Sequence, residues 1–324
     1  MRLLLAAAAT AALAACAGTV AYPASADPAP QVSRSAPAVA SNAPQPQPDR
    51  RIVFPGSVQQ GALVIGKVPA GSQVRYDGRE LRVTSYGTVV FGVERTQAGP
   101  VQVQVTRPDG SRDTARIAVT PRDWPIEQVD GVPGKTVDPP PAIAERIARE
   151  QAAVTAARTR YDADTGFTQD FIWPVRGRIS GRFGNQRVYN GTPGSAHSGM
   201  DIAAPSGTPV KAPAAGLVTF ADDLYLTGGT ILLDHGHGVS SNFLHLSRMD
   251  VSVGDRVDQG QVIGRVGATG RATGPHLHWG MNWLTVRVDP LPACAGYFTA
   301  NRVWLPVTRG SCPVTRSRPA DLLA

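Results

Sequence analysis

His197-Ser198-Gly199-Met200-Asp201-Ile202-Ala203-Ala204-Pro205 opens, and Thr273-Gly274-Pro275-His276-Leu277-His278-Trp279 closes, a window that holds all six histidines of this chain: His197, His235, His237, His245, His276 and His278. His197 and Asp201 are four apart, so a bent or looped backbone can turn both side chains toward one point. His276 and His278 are two apart, so on a strand both imidazoles share one face. Two histidines and one aspartate form the donor set of a catalytic rather than a structural zinc, because three protein ligands leave a fourth position for water. The imidazoles left over are available for acid/base work near neutral pH.

Around these motifs the chain reads as strands and tight turns from Phe171 onward: Gly216-Leu217-Val218-Thr219-Phe220, Thr230-Ile231-Leu232-Leu233, Ser241-Asn242-Phe243-Leu244-His245 and Gln261-Val262-Ile263-Gly264. Asp234-His235-Gly236-His237-Gly238 reads as a hairpin turn after a strand, with His235 and His237 as turn residues and not as a second metal site. Trp279 and Trp283 fit either the lining of a groove or packing on a strand.

With Gly207-Thr208-Pro209-Val210, Asn242-Phe243-Leu244-His245-Leu246-Ser247 and Gly260-Gln261-Val262-Ile263-Gly264, these stretches resemble the lysostaphin/LytM-type zinc metallopeptidases, which cleave peptide bonds in the cross-links of bacterial peptidoglycan. The resemblance covers residues 171–292 and says little about the first 170. It implies an antiparallel β-sheet metallopeptidase domain that binds one zinc ion per chain through His197, Asp201 and His278. His245 and His276 match the two catalytic histidines that are not ligands, one orienting or deprotonating water and the other donating to the oxyanion, with the division between them open. Phe243 stands where the family often has Tyr, so any role of a hydroxyl there is lost while the ring still packs.

The rest of the chain reads as appendages to that domain, and the fold class expected overall is mainly β. Residues 1–16 carry Arg2 and an apolar run from Leu3 to Ala15, too short to span a bilayer, and read as a signal segment. It ends in Leu13-Ala14-Ala15-Cys16, which resembles the lipobox of bacterial lipoproteins, where the cysteine is acylated; Ala24-Ser25-Ala26 offers a competing cleavage site that would discard Cys16. Residues 17–50, rich in Ala, Pro, Ser and Gln, read as a disordered tether.

Residues 51–122 alternate with period two around turns at Asp77-Gly78 and Asp109-Gly110, predicting a small β-sandwich-like domain without a titratable cluster. Residues 123–170 are a linker with a helix over about 142–161, started by Pro139 to Pro141. In the tail, residues 293–324, Cys294 and Cys312 are expected to pair, at about 3 kcal/mol for a loop of that length.

A formal charge of +7 and a pI near 9.7 favour anionic partners, but the basic residues are dispersed, with no run of five or more Lys/Arg, which excludes a nucleic-acid reader. The expectation is an exported, periplasmic zinc endopeptidase, held at the outer membrane by a lipid if Cys16 is acylated, acting on peptidoglycan cross-links between D-alanine and diaminopimelate. The alternative is a non-enzymatic envelope protein of the same fold that binds or activates a cell-wall amidase. The sequence specifies neither the oligomeric state nor an activator.

Overall fold

Period-two alternation builds the N-terminal module: β1 (Ser57–Gln59), β2 (Leu63–Lys67), β3 (Gln73–Tyr76), β4 (Arg79–Leu81), β5 (Thr88–Gly92), β6 (Val101–Thr106) and β7 (Arg112–Thr120). In β6, Val101, Val103 and Val105 point inward while Gln102 and Gln104 face solvent, so one face of the strand is core. The computed structural model describes residues 51–294, which fall in one compact unit. Five strands pair in the order β1-β7-β6-β3-β4, and β2 pairs with β5. Asp77 and Gly78 both have positive φ, 48° and 72°, the geometry of a two-residue hairpin between β3 and β4.

After this module come β8 (Ile126–Val129) and α1 (Pro141–Ala157). The helix starts on proline at its first turn and contains no buried residue. It stops at Ala157, short of the expected 161, because tertiary contacts claim the next residues. The Tyr161 hydroxyl and carbonyl each accept a 2.8 Å hydrogen bond from Arg82, one from its backbone N–H and one from Nε.

The C-terminal module comprises β9 (Arg178–Gly181), β10 (Gln186–Tyr189), β11 (Thr192–Ala196), β12 (Met200–Ala203), β13 (Pro209–Lys211), β14 (Gly216–Leu224), β15 (Gly228–Gly236), β16 (Val239–Leu246), β17 (Arg248–Met249), β18 (Arg256–Val257), β19 (Val262–Arg265), β20 (His276–Trp283), β21 (Val286–Val288) and the short α2 (Leu291–Cys294). Its main sheet runs β18-β14-β15-β16-β20-β12-β9, with β21 also on β20, and every pairing in it is antiparallel. Two small sheets flank it: β13-β19-β17, and β11-β10-β8, in which β8 joins β10 in parallel.

Phe243 and Trp279 face each other across β16 and β20 and are fully buried. Trp279 and Trp283 are therefore packing residues, and the Phe243 ring fills core. One hydrophobic cluster runs through both modules, from Phe91 and Val103 to Trp283 and Val288. The modules also share a 2.7 Å ion pair between Arg122 and Asp289 and a ring contact between Tyr76 and Trp283. Phe167, ahead of residue 171, is fully buried against the His237 ring. Among the described residues no helix is long and apolar enough to cross a membrane.

His235 departs from its expected place in a turn. It lies in β15, fully buried, with Nδ1–H donating to the Ala215 carbonyl and Nε2 accepting from the Ser241 hydroxyl, both at 2.9 Å. His237, at φ 51°, is the turn residue. Burial pushes the His235 imidazole down to about 4. Above pH 6.5 folded and unfolded chains both hold it neutral. Between pH 6.5 and about 4 only the unfolded chain takes up the proton, so stability falls with pH there by up to about 1.4 kcal/mol per unit. Denaturant unfolding over that range is expected to show a shallower pH slope for His235→Gln than for the wild type; identical slopes would refute the assignment.

Candidate metal centre

Asp201 on β12 and His278 on β20 are directly opposite in an antiparallel pair, so both side chains leave the same face of the sheet. His197 reaches that face from the turn between β11 and β12. Its backbone is fastened to the turn between β9 and β10, with His197 N–H donating to Asn185 O and Gly184 N–H donating to His197 O, both at 2.8 Å. The turn needs glycine at position 199: a Cβ there would lie 2.5 Å from the Trp279 carbonyl oxygen and 2.7 Å from His278 Nε2.

Three donor atoms converge. His197 Nε2 lies 3.0 Å from Asp201 Oδ1 and 3.0 Å from His278 Nδ1, and His278 Nδ1 lies 2.9 Å from the same carboxylate oxygen. All three residues are at least 94% buried, at exposures of 5%, 6% and 5%. His197 Nδ1 is 2.9 Å from the Arg182 carbonyl, which can only accept, so Nδ1 carries the proton and Nε2 turns a lone pair to the centre. Ligands at about 2.0–2.1 Å in tetrahedral directions would stand about 3.3 Å apart, close to what is found. Among the described residues this is the group of His, Cys, Asp and Glu side chains fit to hold a metal ion. Donor atoms crowded this closely away from water share either a proton or a cation, and two imidazole nitrogens with one carboxylate oxygen fit a divalent metal.

The charge states agree. Burial works against the Asp201 carboxylate, yet hydrogen bonds from His197 and His278, which hold the place a cation would take, keep it well below the usual carboxylate range. Burial pushes His278 down to about 4 despite Asp201, which keeps it the neutral imidazole that a metal requires.

Two further imidazoles stand beside this triangle. His276 shares the face of His278, and its Nε2 lies 3.8 Å from Asp201 Oδ1. The His245 ring is 4.8 Å from that of His276 and 6.4 Å from that of His278. Each is oriented by a main-chain carbonyl: His276 Nδ1–H donates to Gly274 O and His245 Nδ1–H to Thr269 O, both at 2.8 Å. Both Nε2 atoms are thus left as lone-pair acceptors. Burial, with the neighbouring His276 and His278, pushes His245 down to about 3.

All five residues singled out for metal binding and catalysis therefore meet in one cluster. Cys16 and Cys312 lie outside the described residues, as does the side chain of Cys294. Sequence reasoning did not find the carbonyls of Arg182, Gly274 and Thr269, since a main-chain acceptor has no residue signature. It also missed Arg187, one of 32 basic residues, whose Nη2 lies 2.6 Å from Asp201 Oδ2.

Beyond β8, Asn190 Nδ2 of the β10–β11 hairpin donates to the Val132 carbonyl at 2.8 Å. Arg271, in the loop leading to His276, donates to the Thr136 carbonyl at 3.1 Å and stacks on Tyr189 at 4.1 Å.

A strand-built fold with a buried His-Asp-His donor set and two accessory imidazoles defines a metal-centre protein of the β class. The pattern of Peptidase family M23 matches residues 195–290. The crystal structure of a Pseudomonas aeruginosa protein assigned to peptidase M23 is 32% identical, with a TM-score of 0.58, over 72% of this chain and 94% of that one. The chain belongs to peptidase family M23. DD-carboxypeptidase/endopeptidase Mpg of Neisseria meningitidis is 47% identical over 83 residues, which are 26% of this chain and 19% of Mpg. Peptidoglycan DD-endopeptidase ShyC of Vibrio cholerae is 41% identical over 103 residues, 32% of this chain and 24% of ShyC. The chain thus spans about a fifth to a quarter of the length of these curated relatives.

Gly199→Ala is expected to destabilise the chain by about 1–3 kcal/mol, since the added methyl meets backbone that cannot give way. Chemical denaturation checks this, and wild-type stability in the variant would show that the turn has room it is not credited with.

Proposed function

We propose that this chain is a zinc-dependent endopeptidase that hydrolyses peptide cross-links of peptidoglycan. The observation that carries the proposal is the convergence of His197 Nε2, Asp201 Oδ1 and His278 Nδ1 beside two imidazoles whose Nε2 atoms remain open. His197, Asp201 and His278 would hold the metal and leave its fourth position free. Zinc bound there supplies Lewis acidity toward a carbonyl oxygen and toward water.

The protein's own groups do the rest. With Nδ1–H committed to a carbonyl, a neutral His245 or His276 takes a proton from the attacking water at Nε2. An imidazolium formed this way donates from Nε2 to the oxyanion or to the leaving amine. Because Nδ1 is already spoken for in both, neither ring can donate at Nε2 without first gaining a proton.

The substrate class rests on the relatives. The names of Mpg and ShyC specify DD bonds, and the bond between D-alanine and the D-centre of diaminopimelate is of that kind. Export belongs to the same proposal, through the signal segment at 1–16, Cys16 as lipid anchor and residues 17–50 as tether to the periplasm. A non-enzymatic amidase activator of the same fold is not favoured, since all five site side chains are in place.

The test is mass spectrometry of products after the full chain digests cross-linked muropeptide dimers. Monomers are expected, lost on chelation and restored by zinc. His278→Ala and Asp201→Ala are each expected to abolish both zinc binding and hydrolysis. Unchanged hydrolysis in either variant would overturn the ligand assignment.

A further inference from the structure

We infer that Arg187, braced by Glu127, is a positioning residue that fixes the rotation of Asp201, so that strand β8 is a working part of the metal centre although it lies outside the family-matched residues. This rests on the zinc reading above. Asp201 uses only Oδ1 toward His197 and His278. A carboxylate that presents one oxygen is free to swing unless the other is anchored. Oδ2 is anchored: it accepts a 2.6 Å charge-assisted bond from Arg187 Nη2. The same Nη2 lies 3.2 Å from His197 Nδ1, whose proton is given to the Arg182 carbonyl, so the guanidinium bonds Asp201 and packs behind the His197 ring.

The guanidinium is itself held from the far side. In the parallel β8–β10 pair Glu127 is opposite Arg187, and its Oε2 lies 3.3 Å from Arg187 Nε. Its Oε1 accepts from Asn185 Nδ2 at 2.6 Å, which ties Glu127 to the residue that also receives the His197 backbone N–H. Arg187 is 13% exposed and Asp201 9% at the side chain, so water competes little for either.

Space has been left for the pair. A Cβ on Gly181 would stand 2.5 Å from Arg187 Nη2 and 2.6 Å from Asp201 Oδ2. Only a planar fork with separate Nε and Nη donors spans the two carboxylates, and a lysine ammonium, a single point of charge, does not.

Three substitutions in the full chain test this. Glu127→Gln removes the charge behind Arg187 while its amide oxygen still accepts from Asn185. Arg187→Lys keeps the charge and loses the fork. Gly181→Ala keeps both side chains and forces them apart. Zinc affinity is read by competition with a chromogenic chelator, coordination by the visible spectrum of the cobalt-substituted protein, and folding by the unfolding midpoint of the metal-free chain.

Each variant is expected to bind zinc about 10–100-fold more weakly and to alter the cobalt spectrum, with the metal-free midpoint of Glu127→Gln near that of the wild type. Wild-type affinity and spectrum in Glu127→Gln and Arg187→Lys would overturn the inference. So would a lowered metal-free midpoint with an unchanged cobalt spectrum, the mark of a merely structural role. A wild-type chain that binds neither metal would overturn the zinc reading first, and this inference with it.

Discussion

The registered pair of Asp201 and His278 across β12 and β20 is the constraint on which the site depends. Side chains alternate along a strand, so a slip of one residue would send His278 to the core side and bring Trp279 out in its place. What forbids the slip is burial. Trp279 and Phe243 oppose each other beneath the sheet with no exposed surface, and Ile202 and Leu277 pair beside them in the same way. Each such side chain contributes about 1.5–3 kcal/mol by leaving water. Asp201 and His278 therefore take their places from the hydrophobic residues between them and add little to the choice of register themselves.

A second layer of control is main-chain. The carbonyls of Arg182, Thr269 and Gly274 each accept from an Nδ1–H, of His197, His245 and His276 respectively. Three rings thus share one tautomer, imposed by acceptors that cannot themselves titrate. The carbonyls sit on irregular segments between strands, and the segment with Thr269 and Gly274 is tied through Arg271 to the Thr136 carbonyl. Loops can hold these rings in place because strands and cross-links remove their freedom.

Much of this was legible in the residues. Alternating valines announced the N-terminal strands, a His-x-His spacing on a strand announced a shared face, and His-x-x-x-Asp around glycine announced a turn that folds two ligands together. Strand β8 was not legible. Ile126-Glu127-Gln128-Val129 is four residues long and leaves Ile126 65% exposed, so its alternation points the apolar residue outward and no core pattern forms. Its reason for being a strand is the edge offered by β10, which is information held sixty positions away. His235 was misplaced for the opposite reason: the Asp-His-Gly-His-Gly text does turn, but one residue later, at Gly236 and His237, after the strand has already carried His235 into the core.

The parallel sense of the β8–β10 pair also governs when the protein can be finished. Parallel neighbours cannot be joined by a tight turn, so the chain between them makes a long excursion that carries α1 and Phe167 before it returns. Glu127 and Arg187 are 60 residues apart and His197 and His278 are 81 apart, so their closure costs chain entropy that no local contact returns. The residues of the first β module are synthesised long before His278. Until the last strands are in place His197, Asp201 and His278 do not meet, so any metal they hold would be taken up only after β20 has paired.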